Sequence, residues 1–141
     1  MTTISPPGVI ENEQEAAVAI LLSCLVHQRE SSHKSSLEHI SRMLLLSSKF
    51  KGFSLQTLAG KTMPFIKIHG DSVVIQHCAP LISNSFRETL FSMICEVLTR
   101  HGELSEKESE AVGLAAMHLG ISIDMMRVMI STFIIRNRWN A

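Results

Sequence analysis

Imidazole and thiol groups are the most versatile side chains in this sequence, which contains seven histidines and three cysteines. Imidazole binds Zn²⁺ and Ni²⁺ well, and thiolates bind Zn²⁺. Cys24 and His27 are three residues apart in a predicted helix, so both side chains could contact one ion. The sequence contains no HxxxH or CxxC pair. The spacing therefore indicates candidate metal ligands but does not assemble a complete set.

The local motifs of the common enzyme classes are missing from this sequence. No GxSxG nucleophile motif, phosphate-binding loop or GxGxxG motif is present. The carboxylates of Glu106 and Glu108 lie at the start of a predicted helix, where negative charge is favourable. We therefore predict that the chain is not an enzyme and has no catalytic residues.

Charge and hydropathy exclude several classes of partner and location. The formal net charge is +0 and no run of Lys or Arg occurs, so we expect no nucleic-acid binding. No apolar segment reaches the roughly 18 to 20 residues that a membrane span needs. The N-terminus lacks the basic start and apolar stretch of a signal peptide. We expect a cytoplasmic protein whose cysteines are buried free thiols.

Helix-start signals and apolar spacing predict an all-α fold. Residues 1–10 form a flexible lead-in rich in turn residues, and residues 11–141 form one domain. Capping pairs are predicted at Asn12 with Glu15, Ser35 with Glu38, and Ser105 with Glu108. We predict helices at 12–26, 37–47, 54–60, 71–78, 84–100, 105–119 and 123–137. The result is a compact bundle of about seven helices.

The stretch 65–75 is ambiguous, because β-branched residues on both sides of Gly70-Asp71 are typical of a β-hairpin. A lone hairpin is marginally stable, and no third strand is predicted. We therefore interpret Asp71 as the cap of a short helix that ends near Cys78, and we expect 65–75 to be the least regular part of the bundle.

A sparse internal repeat relates the two halves of the chain. One constant offset aligns Leu25, Glu30, Ser32, Lys34, Ser36 and Leu46 with Leu98, Glu103, Ser105, Lys107, Ser109 and Leu119. Each copy contains an apolar helix, a polar turn and an amphipathic helix. The pattern predicts two pseudo-repeated helical hairpins.

From residue 72 to residue 135 the sequence resembles the TerB-like family, small helical proteins of tellurite-resistance and stress systems. The family order is followed by Ala79-Pro80-Leu81-Ile82, by Phe86-Arg87-Glu88-Thr89-Leu90, and by His101-Gly102-Glu103-Leu104-Ser105-Glu106-Lys107-Glu108. Gly102, Leu104 and Glu108 fit the family's Asp-Gly-x-Ile/Leu turn and following Glu, whereas His101 replaces the Asp. The resemblance implies a seven-helix bundle and a non-catalytic binding or scaffold module with a role in stress response.

The same resemblance carries the alternative function, a metal-binding protein. If the repeats pack as the family implies, His27, His33, His101 and Glu108 lie close together at the turns between repeats. Imidazole in place of carboxylate favours Zn²⁺ or Ni²⁺ over Mg²⁺ or Ca²⁺. These four residues are the candidate metal ligands, with Zn²⁺ as the candidate cofactor.

The last helix suggests a partner surface. Met117, Met125, Met126 and Met129 cluster near it, and apolar residues occupy more than one of its faces. Core packing is the default interpretation, but Met side chains also line adaptable grooves. A protein partner, a homodimer contact or a small apolar ligand are the three alternatives.

Overall fold

Seven α-helices make up the fold of residues 10–140, the part of the chain that the computed structural model describes. They are α1 (Glu13–Leu25), α2 (Glu30–Leu45), α3 (Leu55–His69), α4 (Asp71–Cys78), α5 (Asn84–Leu98), α6 (Glu106–His118) and α7 (Ile123–Asn137). No strand occurs between residues 10 and 140, so the predicted all-α bundle is confirmed. The predicted lead-in lies outside the described residues except for Ile10, which is buried.

Helix α1 is the centre of the bundle. Its N-cap is Asn12, whose Oδ1 accepts a hydrogen bond from the backbone N–H of Glu15 at 2.8 Å, as predicted. Every residue from 15 to 25 is buried, and α1 packs against α3, α4, α5 and α6. An apolar helix without a polar face is stable only when surrounded in this way.

The predicted capping pair Ser35–Glu38 is wrong, because α2 already begins at Glu30. The residue that organises this start is Gln28, whose carbonyl oxygen is bonded to Nε2 of His33 at 3.0 Å. Its side-chain oxygen accepts a hydrogen bond from the buried hydroxyl of Ser36 at 2.6 Å. These bonds connect the preceding turn to α2, and the helix starts five residues before the predicted cap Ser35.

Helix α3 is also longer than predicted. Its N-cap is Ser54, the residue at which the sequence predicts the helix to start, but the helix continues through Gly60 and Pro64 to His69. Pro64 lacks the N–H that would bond the carbonyl of Gly60, which favours a helix end there. Burial of Phe65 and Ile66 beyond the proline compensates, because α3 packs on α1 more extensively than any other helix does.

The region 65–75 is two helices separated by one residue, so its prediction as the least regular segment is wrong. Gly70 has φ +84°, a value that favours glycine, and it redirects the chain from α3 into α4. Helix α4 ends at Cys78 as predicted, although Asp71 is its first residue and not its cap.

The turn between α5 and α6 agrees with the sequence in its main features. Helix α5 ends at Leu98, two residues earlier than predicted, and Gly102 has φ +120°. Ser105 and Glu108 form the predicted reciprocal capping box, with hydrogen bonds of 2.8 and 3.2 Å. Helix α7 has the predicted bounds.

The predicted repeat is reflected in helix ends more than in packing. The interval between the ends of α1 and α5, Leu25 and Leu98, equals that between the ends of α2 and α6, Leu45 and His118. The contacts within the two hairpins differ, however: α5 packs against α6, whereas α1 packs mainly on α3 and α4 and hardly touches α2. Two equivalent packed hairpins therefore remain a prediction.

Candidate functional site

The outer face of α7 carries exposed apolar side chains at regular spacing. Met125, Val128 and Ile135 are 39%, 60% and 60% exposed, and Thr132 lies between the last two. Trp139, in the turn after the helix, is 91% exposed. These positions alternate in steps of three and four, the period of a coiled-coil seam. We call this set, Met125, Val128, Thr132, Ile135 and Trp139, the outer stripe.

The opposite face of α7 attaches the helix to the bundle. Met126, Met129, Ile130 and Phe133 are partly buried against the core. The only buried residue of α7 is Asn137, whose Nδ2 donates to the carbonyl of Glu96 at 3.2 Å and to Oγ1 of Thr99 at 3.0 Å. The helix is therefore fixed to α5. Its outer stripe is left exposed and is not packed against any other helix among residues 10–140. The methionines divide between these two environments: Met126 and Met129 pack inward, whereas Met125 and Met117 of α6 are exposed.

A polar cavity lies between α2, α5 and the end of α7. Its volume is about 410 Å³, and its lining includes His39, Glu96, Arg100, Arg136 and Asn140. Nε2 of His39 is bonded to Oε2 of Glu96 at 2.5 Å, and Nη1 of Arg100 to Nδ1 of His39 at 2.8 Å. Because arginine can only donate, Nδ1 of His39 accepts and Nε2 carries the proton that is donated to Glu96. His39 thus joins α2 to α5.

Two of the four candidate metal ligands lie near the junction of α1 and α2, in separate arrangements. His27 pairs through Nε2 with Oδ2 of Asp71 at 2.5 Å, which connects the end of α1 to the start of α4. His33 is bonded to the carbonyl of Gln28. The positions equivalent to His27 and His33 in the second copy of the predicted repeat form no similar pairing.

The other two candidates lie around the α5–α6 turn. His101 is exposed beside a second cavity that includes Arg138, and Glu108 closes the capping box with Ser105. Within residues 10–140, no group of three or more His, Cys, Asp or Glu side chains is placed to hold a metal ion. The structure does not bring the four predicted ligands together as one group.

The three cysteines are buried free thiols, as predicted. Burial raises the pKa of the Cys78 and Cys95 thiols to about 12. The pKa of Cys24 is raised further, first by burial and then by the charge of Asp71. A thiol with a raised pKa is a poor nucleophile and a poor metal ligand at neutral pH.

The His39–Glu96–Arg100 group was not predicted from the sequence. His39 is separated by 57 residues from Glu96 and by 61 from Arg100, so no short motif contains the group. The outer stripe could have been found, since Met125, Val128, Thr132 and Ile135 follow one another at heptad spacing.

Comparison of the chain with models of known protein families, with curated proteins and with solved structures found no match. The TerB-like resemblance therefore remains a prediction from the sequence. None of the helices between residues 10 and 140 is long and apolar enough to cross a membrane.

Proposed function

We propose that this chain is a non-catalytic binding module that associates with a second copy of itself through the outer stripe of α7. The observation that carries the proposal is the exposure of apolar side chains at heptad spacing on a helix whose other face is already packed. A role of such a module in the response to tellurite or another stress is implied by the TerB-like resemblance and stays a prediction.

Self-association is favoured over another occupant by the charges beside the stripe. Asp124 and Arg138 are fourteen positions apart, two heptads, so they border the same side of the stripe at opposite ends. In an antiparallel pair, residues on one side of the seam meet the same side of the other copy. Asp124 of each copy then lies opposite Arg138 of the other, giving two ion pairs across a twofold axis.

The apolar positions suit the same antiparallel arrangement. Met125 lies level with Ile135 of the second copy, and Val128 lies level with Thr132. The first pair joins a flexible side chain to a β-branched one, and the second joins two β-branched side chains of similar shape, so both pairs can pack closely. The helix is roughly 22 Å long at 1.5 Å per residue, so the contact is short and the association should be reversible.

Sedimentation equilibrium over a concentration series tests the proposal with one matched pair of variants. Val128→Glu places a charge in the stripe and should shift the chain to the monomer, because a charge buried at a helix contact is left unpaired. Val73→Glu is the control, since Val73 is a helical valine of similar exposure, 49%, on α4.

The two variants separate the possible results. Dimeric wild type and Val73→Glu with monomeric Val128→Glu support the proposal. A wild type that stays monomeric throughout the series overturns it, as does an equal effect of both substitutions.

A further inference from the structure

We infer that the end of α2 and the turn after it bind peripherally to the surface of a membrane that contains anionic lipids. The side chains that enter the lipid interface are Leu45, Leu46 and Phe53, which we call the leucine tip. None of them belongs to the outer stripe of α7, so this contact does not depend on the proposed self-association.

The leucine tip is a compact apolar patch that is open to solvent. Leu45 and Leu46 lie at the C-terminal end of α2 with exposed fractions of 78% and 89%, and Phe53 in the following turn is 37% exposed. All three line one hollow of about 480 Å³. Single exposed leucines are common, but two adjacent ones beside an aromatic ring mark a contact surface.

The turn that carries Phe53 is held in place from its inner side. Phe50 is buried, and its ring packs edge-on against that of Phe86 in α5, with 6.0 Å between the centroids. The N–H of Lys51 donates to the carbonyl of Ser48 at 3.3 Å, and that of Phe53 to the carbonyl of Phe50 at 2.9 Å. The leucine tip is therefore formed before it binds, so little conformational entropy is lost on contact with a surface.

The charges of this part of the chain favour an anionic partner. Residues 39–70 contain five Lys or Arg and no Asp or Glu, whereas the whole chain contains 13 of each kind. Lys49 and Lys61 are paired with glutamates near the start of α1. Arg42 and Lys51 are exposed, and neither forms an ion pair among residues 10–140. Arg42 precedes Leu46 by one helical turn, so unpaired positive charge borders the leucine tip.

A lipid surface fits this combination better than a protein partner. Among the described residues, Lys51 is the only charged one that lines the hollow, so no carboxylate there opposes an anionic surface. Protruding apolar side chains need a matching groove on a protein, whereas the interface of a bilayer accepts them without one. Basic side chains beside them gain from anionic headgroups, and their alkyl stems can lie along the interface.

Sedimentation of the full chain with lipid vesicles tests this membrane contact. The probes are vesicles of phosphatidylcholine alone and of phosphatidylcholine mixed with phosphatidylserine. We expect saturable binding to the mixed vesicles that weakens as sodium chloride is added. Binding to phosphatidylcholine alone should be roughly twenty-fold weaker, since each of two basic side chains contributes about five-fold. Failure to bind the mixed vesicles, or equal binding to both kinds, overturns the inference.

Leu46→Ser and Ile68→Ser are matched variants for the apolar part. Both side chains are exposed, at 89% and 60%, so neither change should disturb the core. Ile68 lies near the end of α3, roughly 20 Å along that helix from its start after Phe53. Leu46→Ser should weaken binding to the mixed vesicles by roughly ten-fold or more, and Ile68→Ser should leave it unchanged. Equal losses would contradict insertion of the leucine tip.

Arg42→Gln and Arg127→Gln make the same comparison for charge, since Arg127 is an exposed arginine on α7. Arg42→Gln should weaken the binding by about five-fold and Arg127→Gln should not. Equal losses would show attraction by net charge alone and overturn the inference. Sedimentation equilibrium without lipid tests a second copy as the occupant. If Leu46→Ser lowers the mass of an associated wild type, the leucine tip is an interface between copies and the inference is wrong.

Discussion

Glu13 and Ser83 are joined by two hydrogen bonds although seventy residues separate them in the chain. Oε2 of Glu13 accepts from both the backbone N–H and the hydroxyl of Ser83, each at 2.8 Å. Oε1 of the same carboxylate pairs with Nζ of Lys49 at 2.8 Å. Ser83 is the N-cap of α5, so the first residue of α1 holds the start of α5 in place.

This arrangement predicts a dependence of stability on acid. Burial opposes ionisation of Glu13, but the bonds from Lys49 and Ser83 outweigh it and hold the pKa below the ordinary value of 4.5. A lowered pKa in the folded state stabilises the protein above pH 4.5, and this contribution is lost as the pH falls through the folded value.

Glu13→Gln should therefore lower the free energy of unfolding by about 1 kcal/mol at pH 7 and by much less at pH 3. Urea unfolding at the two pH values measures the difference. The exposed Glu38 provides the control Glu38→Gln. Equal losses for Glu13→Gln at both pH values would contradict the assigned role.

The turn after α5 gives a second prediction, from two glycines in different conformations. Gly102 has φ +120°, whereas Gly113 lies inside α6 with open space around an added Cβ. Gly102→Ala should destabilise by roughly 1 kcal/mol, because a Cβ disfavours positive φ. Gly113→Ala should stabilise by about 0.5 to 1 kcal/mol through helix propensity. Melting midpoints that shift in the same direction for both variants would contradict the described turn.

The buried thiols give a third prediction, for alkaline solution. The pKa values of Cys78 and Cys95 rise from 9.0 to about 12 on folding. A raised folded pKa means that stability is intact below pH 9 and falls as the pH rises toward 12. Because both thiols are buried, a thiol reagent at neutral pH should label these cysteines only at the rate at which the protein unfolds. Rapid labelling of the native protein, with its helical circular dichroism unchanged, would contradict their burial.

The sequence predicted the helices whose ends depend on neighbouring residues. Asn12, Ser54 and Ser122 each cap the helix that follows, because the bonding partner is three residues away. The sequence did not predict where α3 ends, since Gly60 and Pro64 are local stop signals overruled by burial of Phe65 on α1. Capping can be inferred from short spacing, whereas burial depends on residues distant in the chain.

The candidate sites also contain features that the sequence reveals and contacts that it does not. The apolar excess of α7 is visible in the sequence, and the structure adds which residues remain exposed, such as Val128 and Ile135. The bonds of His39 to Glu96 and Arg100 join separate helices, so spacing could not predict them. The pairing of His27 with Asp71 is another such contact, and it accounts for a histidine that the sequence offered as a metal ligand.

Self-association through an antiparallel α7 pair is tested most directly with two charge reversals measured alone and mixed. Asp124→Arg alone places two arginines opposite each other at both ends of the contact, and Arg138→Asp alone places two aspartates opposite each other there. Each variant should dimerise roughly ten-fold more weakly than the wild type, since two exposed attractions become repulsions.

The decisive measurement is sedimentation equilibrium of the equimolar mixture of Asp124→Arg and Arg138→Asp. In an antiparallel heterodimer, both pairs are again attractive, so the mixture should associate about as tightly as the wild type, whereas each variant alone should associate roughly ten-fold more weakly. A mixture that associates no better than its separate components would contradict the antiparallel pairing of α7.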